Sequence, residues 1–157
     1  PVIPRIKALR MKIVPDLTTG SVSTSERERR GWSRPDLARA AGVSRTSLSL
    51  WEDGTRTPTV DALWAVAQVL EVPMDKLVRV PKSKRTLVDL RVLRGMTQLQ
   101  MATLVGARTT SLSALERAET QLSDLWVGRL VVALQVPEDE VRAAYERARS
   151  RPPGTAP

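Results

Sequence analysis

The chain has 157 residues, with 25 Lys and Arg against 17 Asp and Glu, no His and no Cys, for a formal net charge of +8. The absence of both His and Cys excludes Cys/His zinc sites, thiol nucleophiles, disulfides and every Ser-His or Cys-His dyad. Aromatic residues make up 3% and none is Phe, too few for a sheet that stacks single-stranded bases, while the basic excess points to a polyanion, most often nucleic acid.

The length fits one ordinary domain or two small ones. No run of about 18 apolar residues and no signal-peptide pattern occurs, so a soluble, intracellular protein with no membrane partner is expected. Arg outnumbers Lys, 20 to 5, which with abundant Ala and Val suggests a GC-rich bacterial or phage genome.

Residues 1–21 read as an N-terminal arm. Ile3, Ile6, Leu9, Ile13, Val14 and Leu17 supply apolar surface for packing or a partner, the favoured reading. Arg5, Lys7, Arg10 and Lys12 allow the alternative of a minor-groove arm.

Beyond the arm the chain repeats itself. Shifted by 64 positions, Gly31 falls on Gly95, Ala38 on Ala102, Gly42 on Gly106, Thr46–Ser49 on Thr110–Ser113, Glu52 on Glu116, and Val72-Pro73 on Val136-Pro137. The sequence therefore divides into two similar modules, 22–80 and 86–149. A basic linker, 81–85, joins them, and 150–157 is expected to be a disordered tail.

Each module reads as five helices. Near Ser23 a first helix starts whose inward positions, Ser23, Glu26 and Arg29, cannot seal a core; its counterpart has Leu87, Leu90 and Leu93. Ser33 with Asp36, and Thr97 with Gln100, have capping-box spacing. Gly42 and Gly106 end those helices where a left-handed residue is needed. A further helix follows at once, capped by Ser44, with Leu48 and Trp51 on one face, matched by Leu112 and Leu115. Val60, Leu63, Val66, Ala67 and Leu70 continue as a longer amphipathic helix, and Pro73 and Pro137 stand where a last short one starts. Trp32 and Trp51 are assigned to the core. Trp64 and Trp126, off the apolar stripe, are candidates for contact between modules or subunits, or for partial burial.

Two short helices joined by a glycine turn form a helix-turn-helix unit, whose second helix can lie in the DNA major groove. The stretch GWSRPDLARAAGVSRTSLSLWEDGTRTP resembles the Cro/cI (lambda-repressor-like, or XRE) family, and GMTQLQMATLVGARTTSLSALERAETQL is similar but more divergent. The resemblance implies an all-α fold of two tandem five-helix lambda-repressor-like helix-turn-helix domains. It also implies a non-enzymatic, cofactor-free and metal-free regulator of transcription that binds double-stranded DNA, a repressor of phage-immunity or bacterial type.

From the same resemblance, Arg34 and Gln98 stand where the family reaches a phosphate or base edge. Ser44, Arg45, Thr46, Ser49 and Leu50 face outward from the recognition helix. Arg45 is the favoured reader, since a guanidinium can grip guanine O6 and N7. Thr46 and Ser49 offer hydroxyl contacts, and Arg56 suits a phosphate. The second module offers Arg108, Thr109, Thr110, Ser113 and Ala114, with fewer cations, and Glu119 there would repel phosphate. Linker cations Lys82, Lys84 and Arg85 are read as phosphate contacts. The family further implies structural pairs between Arg27 and Glu52 and between Arg91 and Glu116.

Two mechanisms follow. In the first, one chain places two readers in adjacent major grooves about 34 Å apart, as a monomer on an asymmetric site or as a homodimer; the linker spans at most about 20 Å. In the alternative, the second module serves dimerisation or a partner, as in an antitoxin-like regulator. Residues 1–21 carry four bases and one acid, 81–85 three bases and no acid, and 86–149 eight of each. Most of the excess charge is therefore on the arm and the linker.

Overall fold

The computed structural model describes residues 19–154. Among these residues all secondary structure is helical. Five helices come first: α1 (Thr19–Arg29), α2 (Arg34–Ala41), α3 (Arg45–Glu52), α4 (Val60–Val69) and α5 (Met74–Leu77). After a 3-10 turn at Lys82–Lys84 come α6 (Leu87–Leu93), α7 (Gln98–Leu104), α8 (Thr109–Glu116), α9 (Asp124–Leu134) and α10 (Glu138–Arg149).

The helix boundaries follow local chemistry. The Ser33/Asp36 and Thr97/Gln100 capping boxes are both formed, and Thr86 with Asp89 makes a third, pairing N-terminal amides that a helix cannot satisfy internally. Gly42 and Gly106 adopt φ 67°, the left-handed conformation expected after each turn. Pro73 and Pro137 stand at the N-caps of α5 and α10. The last helix of the second half is not short. Val141, Ala144, Tyr145 and Ala148 are buried along 12 residues of α10, and Tyr145 Oη donates to the Thr120 carbonyl at 2.9 Å.

Two apolar clusters organise the chain. Leu37, Leu48, Leu63, Val66 and Leu70 centre the first; Leu90, Met101, Leu112, Leu115, Leu130 and Leu134 centre the second. Burying each such side chain contributes about 1.5–3 kcal/mol relative to leaving it exposed. Trp32 and Trp51, assigned to the core, are half-buried at the edge of the first cluster, and Trp126 packs in the same way on the second.

Helix α6 serves both clusters. Leu87 and Leu90 enter the second, whereas Val88 and Val92 enter the first. Trp64 reinforces this seam, because its indole lies so close to Gly95 that a Cβ there would sit 2.1 Å from the ring. Trp64, a candidate for contact between modules or subunits or for partial burial, thus touches the other half while staying 38% exposed. The stretch read as a linker is also built into the fold: Arg85 Nε donates to the Val80 carbonyl at 3.0 Å, and the Arg85 carbonyl accepts from Arg147 Nη1 at 2.7 Å.

Helix α1 begins at Thr19, earlier than its sequence suggests. Val22 packs on the first core, and Ser23 is buried with its hydroxyl unpartnered, so a polar residue occupies a place the repeat gives to Leu87. Gly20 is required there, because a Cβ would lie 2.2 Å from the Trp51 carbonyl oxygen. The readings of residues 1–18, as a covering segment or as a minor-groove arm, lie outside the described residues. At the other end, Arg151 donates to the carbonyls of Arg117 and Ala148, so the expected tail is anchored past Ser150.

Candidate nucleic-acid interface

Helices α2 and α3 meet at Gly42. Ala38 accepts from the Val43 amide at 3.0 Å, which closes the turn, and Ser44 caps α3 by accepting from the Ser47 amide at 3.0 Å. Leu48 is fully buried and anchors α3 on the core. With that face fixed, Arg45 and Thr46 at the start of α3 are exposed, Ser49 and Leu50 are half-buried, and Arg56 is exposed in the following loop. Ser44 is exposed too, but its oxygen is committed to the cap and to the Ser47 hydroxyl at 2.8 Å.

The far end of α3 is clamped. Arg27 grips the Glu52 carboxylate with two hydrogen bonds, 2.9 and 3.0 Å, and donates a third to the Trp32 carbonyl at 2.8 Å. Arg34 donates to the same carboxylate at 2.7 Å and to Asp53 at 2.9 Å. Burial would raise the Glu52 pKa, but the hydrogen bonds from Arg27 and Arg34 prevail and hold it below the ordinary range; the bond to Glu52 in turn raises Arg27 and Arg34. Arg34, expected to reach DNA, therefore spends two of its nitrogens on bracing α3 against α2.

The second half repeats this frame. Arg91 pairs with Glu116 at 2.6 and 3.3 Å and donates to the Met96 carbonyl at 2.9 Å, while Gln98 Nε2 reaches Glu116 at 2.8 Å. Both expected Arg-Glu pairs are present, with their side chains all but buried. Arg108, the N-cap of α8, makes no cap hydrogen bond through its side chain. Arg108 and Thr110 are exposed, whereas Thr109, Ser113 and Ala114 are half-buried.

Arg117 changes the electrostatics expected there. It holds both Glu119 oxygens at 2.7 Å and also donates to the Ser113 hydroxyl. Its hydrogen bond lowers the Glu119 pKa, so the Glu119 charge stands beside a cation that offsets it. Sequence reasoning passed over Arg117, although the repeat shows the signal: an acid, Asp53, stands at the matching place in the first half.

Residues 25–77 match the family model described as helix-turn-helix. Within this segment the chain is similar to that family. Over 57 residues, 36% of the chain, the sequence is 42% identical to the HTH-type transcriptional regulator SutR of Escherichia coli (strain K12). The aligned part is 32% of that relative, so the chain spans about a third of the length of the curated protein it matches. No solved structure matches the chain.

Within the matched segment, Arg45, Thr46 and Ser49 lie on α3, with Arg56 in the loop just beyond it. Lys82 and Lys84 are exposed on the 3-10 turn outside it, while Arg85 is half-buried and engaged through its Nε. Among the described residues no helix is long and apolar enough to cross a membrane.

Proposed function

We propose that the chain is a sequence-specific, double-stranded-DNA-binding regulator of transcription, a repressor, acting through two tandem lambda-repressor-like five-helix units, 22–80 and 86–149. One observation carries the reading: in a domain that matches the helix-turn-helix family, the start of α3 presents Arg45 and Thr46 to solvent while Ser44, Leu48 and Glu52 fix the helix from within. That arrangement suits insertion into a major groove, with Arg45 on a guanine edge and Thr46 and Ser49 beside it. Arg56, Lys82 and Lys84 would meet phosphates. The relative named a transcriptional regulator supports the same reading for residues it aligns with.

The second unit rests on the 64-residue repeat and on the parallel Arg91-Glu116-Gln98 clamp. Its outward face carries Arg108, Thr109, Thr110 and Ser113, which would read a different sequence, so the site would be asymmetric. A second reading gives α6–α10 a protein-binding role, favoured by the zero net charge of 86–149 and by the capture of Ser113 by Arg117.

Selection of bound duplexes from a random library, followed by titration of the full chain against salt, tests both. Two-unit binding predicts a non-palindromic consensus that loses preference at one part for Arg45→Ala and at another for Arg108→Ala, with a salt slope that falls by about 1 for Arg56→Ala. A consensus unchanged by Arg108→Ala supports the second reading, and absence of any enriched duplex overturns DNA recognition altogether.

A further inference from the structure

Helix α6 is apolar on two sides. Leu87 and Leu90 are buried in the second core, while Val88 and Val92, 6% and 2% exposed, are buried in the first. Between these sets stands Arg91, whose guanidinium holds Glu116 at the end of α8. The first core in turn holds α3 through Leu48. Helices α3 and α8 are therefore both tied to one helix through buried groups, α3 by way of the core and α8 by way of an ion pair.

The repeat shows that the second apolar side is particular to α6. Sixty-four positions earlier, α1 carries Thr24 and Glu28 at the places of Val88 and Val92, and Glu28 is exposed, although Arg27 makes the same clamp to Glu52 that Arg91 makes to Glu116. A helix that braces only its own unit needs the clamp and no outward valines. The approach to α6 is fastened as well: Arg85 donates to the Val80 carbonyl, Arg147 of α10 donates to the Arg85 carbonyl, and the Trp64 ring lies on Gly95 just past the end of α6. Swinging one half against the other would bare apolar surface of α6 to water.

We propose that α6 is a rigid spacer that makes the chain select the distance between two DNA subsites, an inference that rests on reading both halves as DNA-binding units. Val88, Val92 and Gly95 then determine specificity for the length of the site, as the outward residues of α3 and α8 determine it for base sequence. Each base pair added between the subsites advances the second by about 3.4 Å and turns it by about 34° round the duplex. A free linker over 81–85, reaching at most about 20 Å, would follow a shift of one or two pairs. A joint packed on both sides does not stretch in this way, because packed interiors switch between discrete arrangements and resist continuous deformation. The chain should accept one separation only.

The chain has no cysteine of its own, so paired spin labels report the joint directly in the full-length protein without nucleic acid. Labels at Thr46→Cys on α3 and Thr110→Cys on α8 should give a single distance, with a distribution no wider than that of Ala40→Cys paired with Gln68→Cys, two exposed positions within the first half. A broad or split distribution across the halves overturns the proposal whatever the chain binds. For the wild type, adding or removing one base pair between the two parts of its selected consensus should lower affinity by about tenfold or more. Undiminished affinity for duplexes lengthened by one and by two pairs, with Arg45→Ala and Arg108→Ala each still altering its part of the consensus, overturns the spacer and leaves the two-unit reading intact. A consensus that Arg108→Ala leaves unchanged overturns that reading, and the measuring role with it, even where the label distance stays narrow.

Discussion

Arg27 and Glu52 face each other as a parallel, doubly hydrogen-bonded pair in which the carboxylate side chain is fully buried and the guanidinium 9% exposed. Such a pair fixes geometry more than it adds net stability, but removing one partner strands the other charge. Glu52→Gln should therefore cost about 3 kcal/mol of unfolding free energy. Joint replacement, Arg27→Met with Glu52→Leu, should cost clearly less than the single change. Urea titration of the three proteins checks the order, and equal losses would mean that the clamp is not a coupled unit.

The same carboxylate sets an acid limb on stability. Its pKa is depressed in the folded protein, where hydrogen bonds from Arg27 and Arg34 outweigh burial, while the unfolded chain titrates near the ordinary 4.5. The unfolded state therefore binds more protons in this window, and stability rises with pH across it. Full stabilisation from Glu52 is present above about pH 4.5 and is lost as the pH falls through the lower folded value. Melting temperatures from about pH 6 to about pH 3 should show a steeper acid decline in the wild type than in Glu52→Gln. Parallel curves would assign the decline to other carboxylates.

Gly95 and Trp64 join the two halves. A Cβ on Gly95 would overlap the indole, and its φ of 68° is itself unfavourable for any other residue. Gly95→Ala should cost on the order of 2 kcal/mol, combining backbone strain and a displaced ring. In a Trp64→Ala background only the backbone part should remain, so the two changes should couple by about 1 kcal/mol in a double-mutant cycle. Additive losses would show that the ring has room to move aside.

What could be read from the sequence was local or repeated. The caps at Ser33, Ser44 and Thr97 and the turns at Gly42 and Gly106 all have signals within one helix or at a fixed repeat spacing, while both Arg-Glu clamps are implied by the family resemblance. The sharing of α6 had no such signal: its apolar residues alternate between two cores, and LVDLRVL reads equally well as a helix with one broad face. Gly20 against the Trp51 carbonyl was likewise illegible, since closeness of two segments so far apart in the chain leaves no trace in either. The resemblance places Arg34 at a DNA-reaching position and leaves out its two acceptors, Glu52 and Asp53, which reach it only through the fold.

The repeat also exposes a strained position. Gly54 takes φ 74° just after α3, and at the matching place after α8 the chain has Ala118 at φ 56°. A left-handed alanine is disfavoured by about 1–2 kcal/mol, part of which a glycine returns as lost chain entropy. Ala118→Gly should therefore stabilise the second half by about 0.5–1 kcal/mol, read as a higher midpoint in thermal melts. A lower midpoint would show that the Ala118 methyl, which packs on the second core, outweighs the strain.

In the proposed complex, Arg45 and Arg34 would divide the labour of recognition. Arg45 is exposed at the start of α3, so in the proposed complex it is free to reach a base edge. Arg45→Ala should lower affinity for the selected duplex by about 1–3 kcal/mol while leaving binding to random DNA almost unchanged, because a base contact carries the discrimination. Arg34 is held by Glu52 and Asp53 and acts by orienting α3. Arg34→Ala should weaken specific binding less than Arg45→Ala and should also lower the melting temperature of the free protein, which Arg45→Ala should not. If instead Arg34→Ala reduces specific and random binding alike with no change in melting, its guanidinium leaves the clamp to meet phosphate.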